Sequence, residues 1–182
     1  MLRQALTAIS VITICVCSFS CNSLRSQNYV GEKANITQYN ISKDSMWLFD
    51  DTVFHVRLVG TNLLVASSVV WDEKNKKHDI STKELIISEL KGYTFLNLKD
   101  GQYYTILRLI PTGEDSLVLA TVDAGKIDKD IAEGKIKATK EQREFTFKGS
   151  KKELDDYVSD NIDSLFDYDA LGALRLLSGE LK

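Results

Sequence analysis

Catalysis or metal binding in this 182-residue chain would have to be built from two histidines, three cysteines and 26 acidic residues. His55 alternates with Arg57 in a strand-like pattern and His78 sits among lysines. Neither has the paired spacing of a metal site, and both fit a surface or edge-strand position. No Gly-x-Ser-x-Gly elbow accompanies them, although composition alone leaves a Ser-His-Asp arrangement open. Asp72-Glu73 and Asp155-Asp156 are adjacent acids whose side chains diverge on a strand or helix, which spoils them as a glycosidase pair unless distant residues join. Asp123, Asp128 and Asp130 lack the order and closing glutamate of a calcium loop and read as a charged helix surface. The expectation is no metal and no cofactor. A softer lead is aromatic: Trp47, Phe49, Trp71, Tyr93, Tyr103 and Tyr104 lie on or beside inferred strands. Trp47, Trp71 and Tyr103 are candidate ligand contacts by stacking, against the alternative that such rings fill the core.

The cysteines belong to other chemistry. From Met1 to Ser20 the only charge is Arg3, and the next is Arg25. The apolar stretch Ala5 to Phe19 is shorter than the roughly 20 residues a membrane-crossing helix needs, so 1–20 reads as a signal peptide cut between Ser20 and Cys21. Ser18-Phe19-Ser20-Cys21 resembles the lipobox of Gram-negative bacterial lipoproteins, in which the cysteine is thioether-linked to diacylglycerol and becomes the acylated N-terminus. Ser18 stands where that motif usually has leucine, and Phe19 is bulkier than its usual occupant. The resemblance implies export and a lipid anchor at Cys21 in a bacterial membrane. The outer membrane is the expectation, with the leaflet open. An uncleaved N-terminal helix, or ordinary cleavage leaving a free Cys21, stay as alternatives. Since Cys15 and Cys17 leave with the signal, no disulfide can form within the mature chain.

Residues 21–45, rich in Asn, Ser, Gln and Lys, read as a flexible tether, with an N-terminal strand using Ile36, Tyr39 and Ile41 as the alternative. Asn35-Ile36-Thr37 and Asn40-Ile41-Ser42 match the N-glycosylation acceptor pattern, and Asp44-Ser45-Met46, Asp51-Thr52-Val53, Asp115-Ser116-Leu117 and Asp163-Ser164-Leu165 resemble an O-glycosylation pattern of some exported Gram-negative proteins. Only Ser45, in Asp44-Ser45-Met46, is expected to be accessible to a sugar.

The elements that must position these side chains follow from the period of the apolar residues. Period two marks strands over 52–59, 63–71, 93–98, 103–110, 116–122 and 144–148, with Asp100-Gly101 as a tight turn. Residues 80–90 suit either a strand or a helical turn. Helices are expected at 127–132, capped by Asp123 and stopped by Gly134, and from the Ser150–Glu153 capping box through Leu154, Tyr157, Val158, Ile162 and Leu165. A weaker helix is expected over 171–181. The fold class is therefore α+β: residues 46–182 form an antiparallel meander with two or three helices of the C-terminal half packing on it. Tyr93 to Tyr168 resembles small Gram-negative lipoproteins over less than half of the chain, and no activity follows from that resemblance.

With 23 basic against 26 acidic residues and a net charge of -3, nucleic acid is not expected as a partner. The leading reading is a membrane-tethered binding or envelope-associated module whose partner is another envelope protein or a glycan. An inhibitor or immunity-type protein, and a hydrolase acting on envelope components, are the alternatives.

Overall fold

The computed structural model describes residues 22–34, 44–49, 52–59, 62–113 and 116–178. In chain order the strands and helices are β1 (Ser23–Ser26), β2 (Glu32–Lys33), β3 (Asp44–Phe49), β4 (Thr52–Val59), β5 (Leu63–Asp72), β6 (Lys77–Leu90), β7 (Tyr93–Asp100), β8 (Tyr103–Pro111) and β9 (Ser116–Val122). Then follow α1 (Ala124–Ala132), β10 (Ala138–Glu141), β11 (Glu144–Phe147), α2 (Lys151–Asp160), α3 (Ile162–Leu165) and β12 (Phe166–Ser178). Strands β3 to β9 pair in sequence order, each antiparallel to the next. Strand β12 then inserts between β9 and β3, antiparallel to both, and closes the ring.

The expected open α+β meander is thereby corrected. The molecule is mostly β, 62% strand and 17% helix, and its sheet is a closed eight-stranded antiparallel barrel with extra strands. The helices pack outside it. The error sits largely in 171–181, where leucine spacing suggested a helix. Within β12, Leu174 and Leu176 face inward while Ala173, Arg175 and Leu177 are exposed, a period of two hidden in an apolar run. Residues 80–90, ambiguous by pattern, belong to the 14-residue strand β6.

The expected tether is corrected over its described part. Residues 22–34 are folded: β1 pairs with β8 and, in parallel, with β11, and β2 pairs with the end of β6. Leu24 and Val30 are fully buried. Between β1 and β2 the chain crosses the outer surface of β7. There the buried Asn97 accepts the Val30 N–H at 3.0 Å and donates to Ile86 O and Ser88 Oγ, while Ser88 donates to Val30 O. Helix α2 clips the crossing from above, through the Gly31 N–H to Asp155 at 2.8 Å and Lys151 Nζ to Gly31 O at 2.5 Å. Gly31 has φ +70°, and a Cβ there would lie 2.3 Å from Glu89 O, so only glycine fits.

Two apolar cores result. One lies between the outer wall of β7, β8 and β9 and a cover made of β1, β11 and the three helices. Phe95, Ile106, Ala120, Ile127, Phe145, Leu154, Val158 and Leu165 meet there. Asp123 and the Ser150–Glu153 capping box start α1 and α2 as expected. The other core is the barrel lumen, lined by Trp47, Phe49, Val56, Leu64, Ala66, Leu85, Ile87, Leu96, Leu107, Leu109, Leu117 and Leu119.

Candidate functional site

Strand alternation decides what each wall residue faces, and along one strand the two faces differ in packing. On β7, Phe95 points to the helical cover and is 0% exposed, while its neighbour Leu96 points into the lumen and is 6% exposed. On β9, Ala120 is 0% and Leu119 is 8%. Ala66, across the strand from Lys83, and Leu85 likewise keep a little exposure, as do Ile136 and Ile162 under the cover, whereas Ile106, Ile127, Phe145, Leu154 and Leu165 keep none. Five further lumen residues, Phe54, Leu58, Leu98, Leu174 and Leu176, are only partly buried. An eight-stranded barrel is just wide enough either to be filled by side chains or to hold one small ligand. Here the inward side chains range from Trp47, Phe49 and several leucines down to the short Ala66, Ser68 and Gly172.

The lumen is apolar with few polar groups. Ser45, far from being open to a sugar, is 0% exposed and faces inward. It accepts the Trp47 indole N–H at 2.8 Å and reaches Val56 O at 3.4 Å. Ser68 lies across β4 and β5 from Phe54, in the row Leu176, Trp47, Phe54, Ser68, Ser81. It is 3% exposed, and its hydroxyl has no hydrogen-bond partner. At the barrel end carrying the 72–77 and 100–103 turns, two rim ion pairs form. Lys83 Nζ meets Asp100 at 2.7 Å, and Arg25 meets Glu144 at 2.5 Å with its guanidinium over the Tyr103 ring. The hydrogen bond from Lys83 holds Asp100 below the usual carboxylate range against a smaller upward push from burial, so Asp100 stays ionised at neutral pH.

The three aromatics singled out from sequence do not converge. Trp47 lies in the lumen wall with its N–H satisfied, and Tyr103 lies under Arg25 at the rim. Trp71 is 44% exposed on the outer face of the β5–β6 hairpin, edge-on to His78 at 4.9 Å and beside the exposed Val69 and Ile80. His55 lies 3.2 Å from Asp44 on the outer wall, and Ser67 across the strand from it bonds to Thr82 instead. Asp155 holds Gly31 and Lys151 while Asp156 holds Lys152, so the adjacent acids diverge. Asp128 pairs with Lys140, and Asp130 is buried against Lys126 and Tyr157. Among the described residues no group of three or more His, Cys, Asp or Glu is placed to hold a metal. Ser20, Cys21 and the two Asn-x-Ser/Thr matches lie outside the described residues.

Sequence reasoning missed Ser68. An inward serine at that position is legible from alternation once β5 is set in register, but the lumen it faces exists only after β12 closes the ring. No family model matches the chain, and neither a curated protein nor a solved structure matches it.

Proposed function

We propose that this chain is an exported, lipid-anchored envelope protein that binds a small apolar molecule inside its barrel. The observation that carries the binding half is the apolar lining of the closed barrel, in which one buried hydroxyl, that of Ser68, has no hydrogen-bond partner. An apolar cavity wall that lacks contact partners gains dispersion contacts when an apolar guest enters, and water gives it little in return. The anchor half rests on Ser18-Phe19-Ser20-Cys21. Because β1 starts at Ser23, a lipid on Cys21 would hold the fold within about 7 Å of the bilayer. Molecules that partition into membranes are concentrated there.

The binding half is tested by titrating the protein with an apolar dye whose emission rises out of water. One dye per chain is expected, and Ala66→Leu, which fills the lumen, should abolish binding while Ile80→Ser on the outer wall leaves it intact. Dye binding indifferent to Ala66→Leu would place the dye elsewhere and end this reading. The anchor half is tested separately by metabolic acyl labelling of Cys21→Ala, for which loss of label and release from the membrane fraction are expected.

A further inference from the structure

We infer that the lumen guest carries one uncharged oxygen and that Ser68 is the residue that recognises it. This rests on the lumen being the binding site. Buried hydroxyls in folded proteins are nearly always hydrogen-bonded, because one left without a partner forfeits its bonds to water. Among the described residues of this lumen Ser68 is the exception. Its Oγ is buried without a partner, in contrast to Ser45, whose Oγ serves both Trp47 and Val56. Alternation places Ser68 with Leu64 and Ala66 on the inward face of β5, beside Phe54 and the cross-strand Ser81. A hydroxyl so placed can donate to, or accept from, a guest held among the leucines.

The rim narrows the class further. A carboxylate or phosphate head would need a cation at the mouth, and there Lys83 is bound to Asp100 and Arg25 Nη1 to Glu144, although the Arg25 Nε keeps no partner. An ammonium head would face the same paired acids. The chemistry that fits is a hydrocarbon body with a single hydroxyl or carbonyl, such as a medium-chain alcohol, ketone or ester.

Displacement of the lumen dye by n-octane, 1-octanol and octanoate tests this. Octanol is expected to bind about tenfold tighter than octane, the worth of one hydrogen bond in an apolar site, and octanoate more weakly than octanol. Ser68→Ala should bring octanol down to octane, leave octane unchanged, and raise the unfolding midpoint of the ligand-free protein by removing the unsatisfied group. A preference for octanol that survives Ser68→Ala overturns the role of Ser68, and octanoate binding tighter than octanol overturns the uncharged class. If none of the three displaces the dye, the lumen reading itself fails, a result distinct from equal binding of octane and octanol, which would sink only the inference about Ser68.

Discussion

The two faces of one wall, β7 to β9, carry two kinds of core. Outward, Phe95, Ile106 and Ala120 meet helices and β11 with no surface left open; inward, Leu96 and Leu119 meet a lumen that keeps some. The residue types are alike, so the difference comes from geometry. A helix laid on a sheet can settle until its side chains interdigitate, whereas opposite walls of a closed barrel are held apart by strand number and tilt. On the proposed reading, the covered core supplies stability and the lumen takes the guest.

That division predicts where truncation hurts most. Phe145→Ala, in the middle of the cover at 0% exposure, should cost about 3–5 kcal/mol in urea unfolding. Leu119→Ala in the lumen should cost less, nearer about 2 kcal/mol, because Leu119 keeps 8% exposure and has less buried surface to lose. Equal losses would mean that the lumen is packed as tightly as the covered core.

The cover is also secured by charge. Asp130 on α1 is 0% exposed, accepts the Tyr157 O–H at 2.9 Å and pairs with Lys126. Burial is the largest single influence on its carboxyl and pushes the pKa up, yet the bonds from Lys126 and Tyr157 and the charges of Lys126 and Lys135 bring it below the ordinary 3.8. Burial, with Asp130 as partner, pushes the Tyr157 phenol upward, so it stays protonated at neutral pH. Asp130→Ala leaves Lys126 without its buried partner and should cost about 3 kcal/mol at pH 7. With a depressed folded pKa, the carboxylate's contribution is complete above 3.8 and is lost as pH falls below it through the lower folded value. The gap between parent and variant should therefore shrink in that acid window, and a constant gap would show that the charge contributes nothing.

Local features were legible in the sequence, and closure was not. The Asp123 cap, the Ser150–Glu153 box and the Asp100-Gly101 turn are short-range chemistry, and each sits where its residues indicate. Strand β12 was hidden because Leu174, Leu176 and Leu177 mix inward and outward apolar positions, and its partners β9 and β3 are far away in sequence. Residues 22–34 were hidden because polarity looked like a spacer, while the segment is held by two isolated buried apolar residues, Leu24 and Val30, and by polar contacts to Asn97, Ser88 and Asp155. Trp47 and Trp71 show the limit most plainly: the same residue type on two strands lies inside at 5% and outside at 44%, decided by register.

The smallest effect is the sharpest test of the two cores, because it adds atoms instead of removing them. Ala120 and Ala66 are both buried alanines in mid-strand, one facing the cover at 0% and one facing the lumen at 9%. A leucine at 120 has nowhere to go: Val122, Ile106 and the helices already occupy the space, and overpacking of this kind costs about 1–3 kcal/mol. On the proposed reading a leucine at 66 enters the lumen among Val56, Leu64 and Leu85, beside the cross-strand Lys83, and gains contacts there. Ala66→Leu should therefore leave stability within about 0.5 kcal/mol of the parent while removing dye binding. Thermal and urea unfolding of the two variants side by side reads the difference directly. If Ala66→Leu destabilises as much as Ala120→Leu, the barrel holds no room, and the binding function must move to its outer wall, where Trp71, Val69 and Ile80 are exposed.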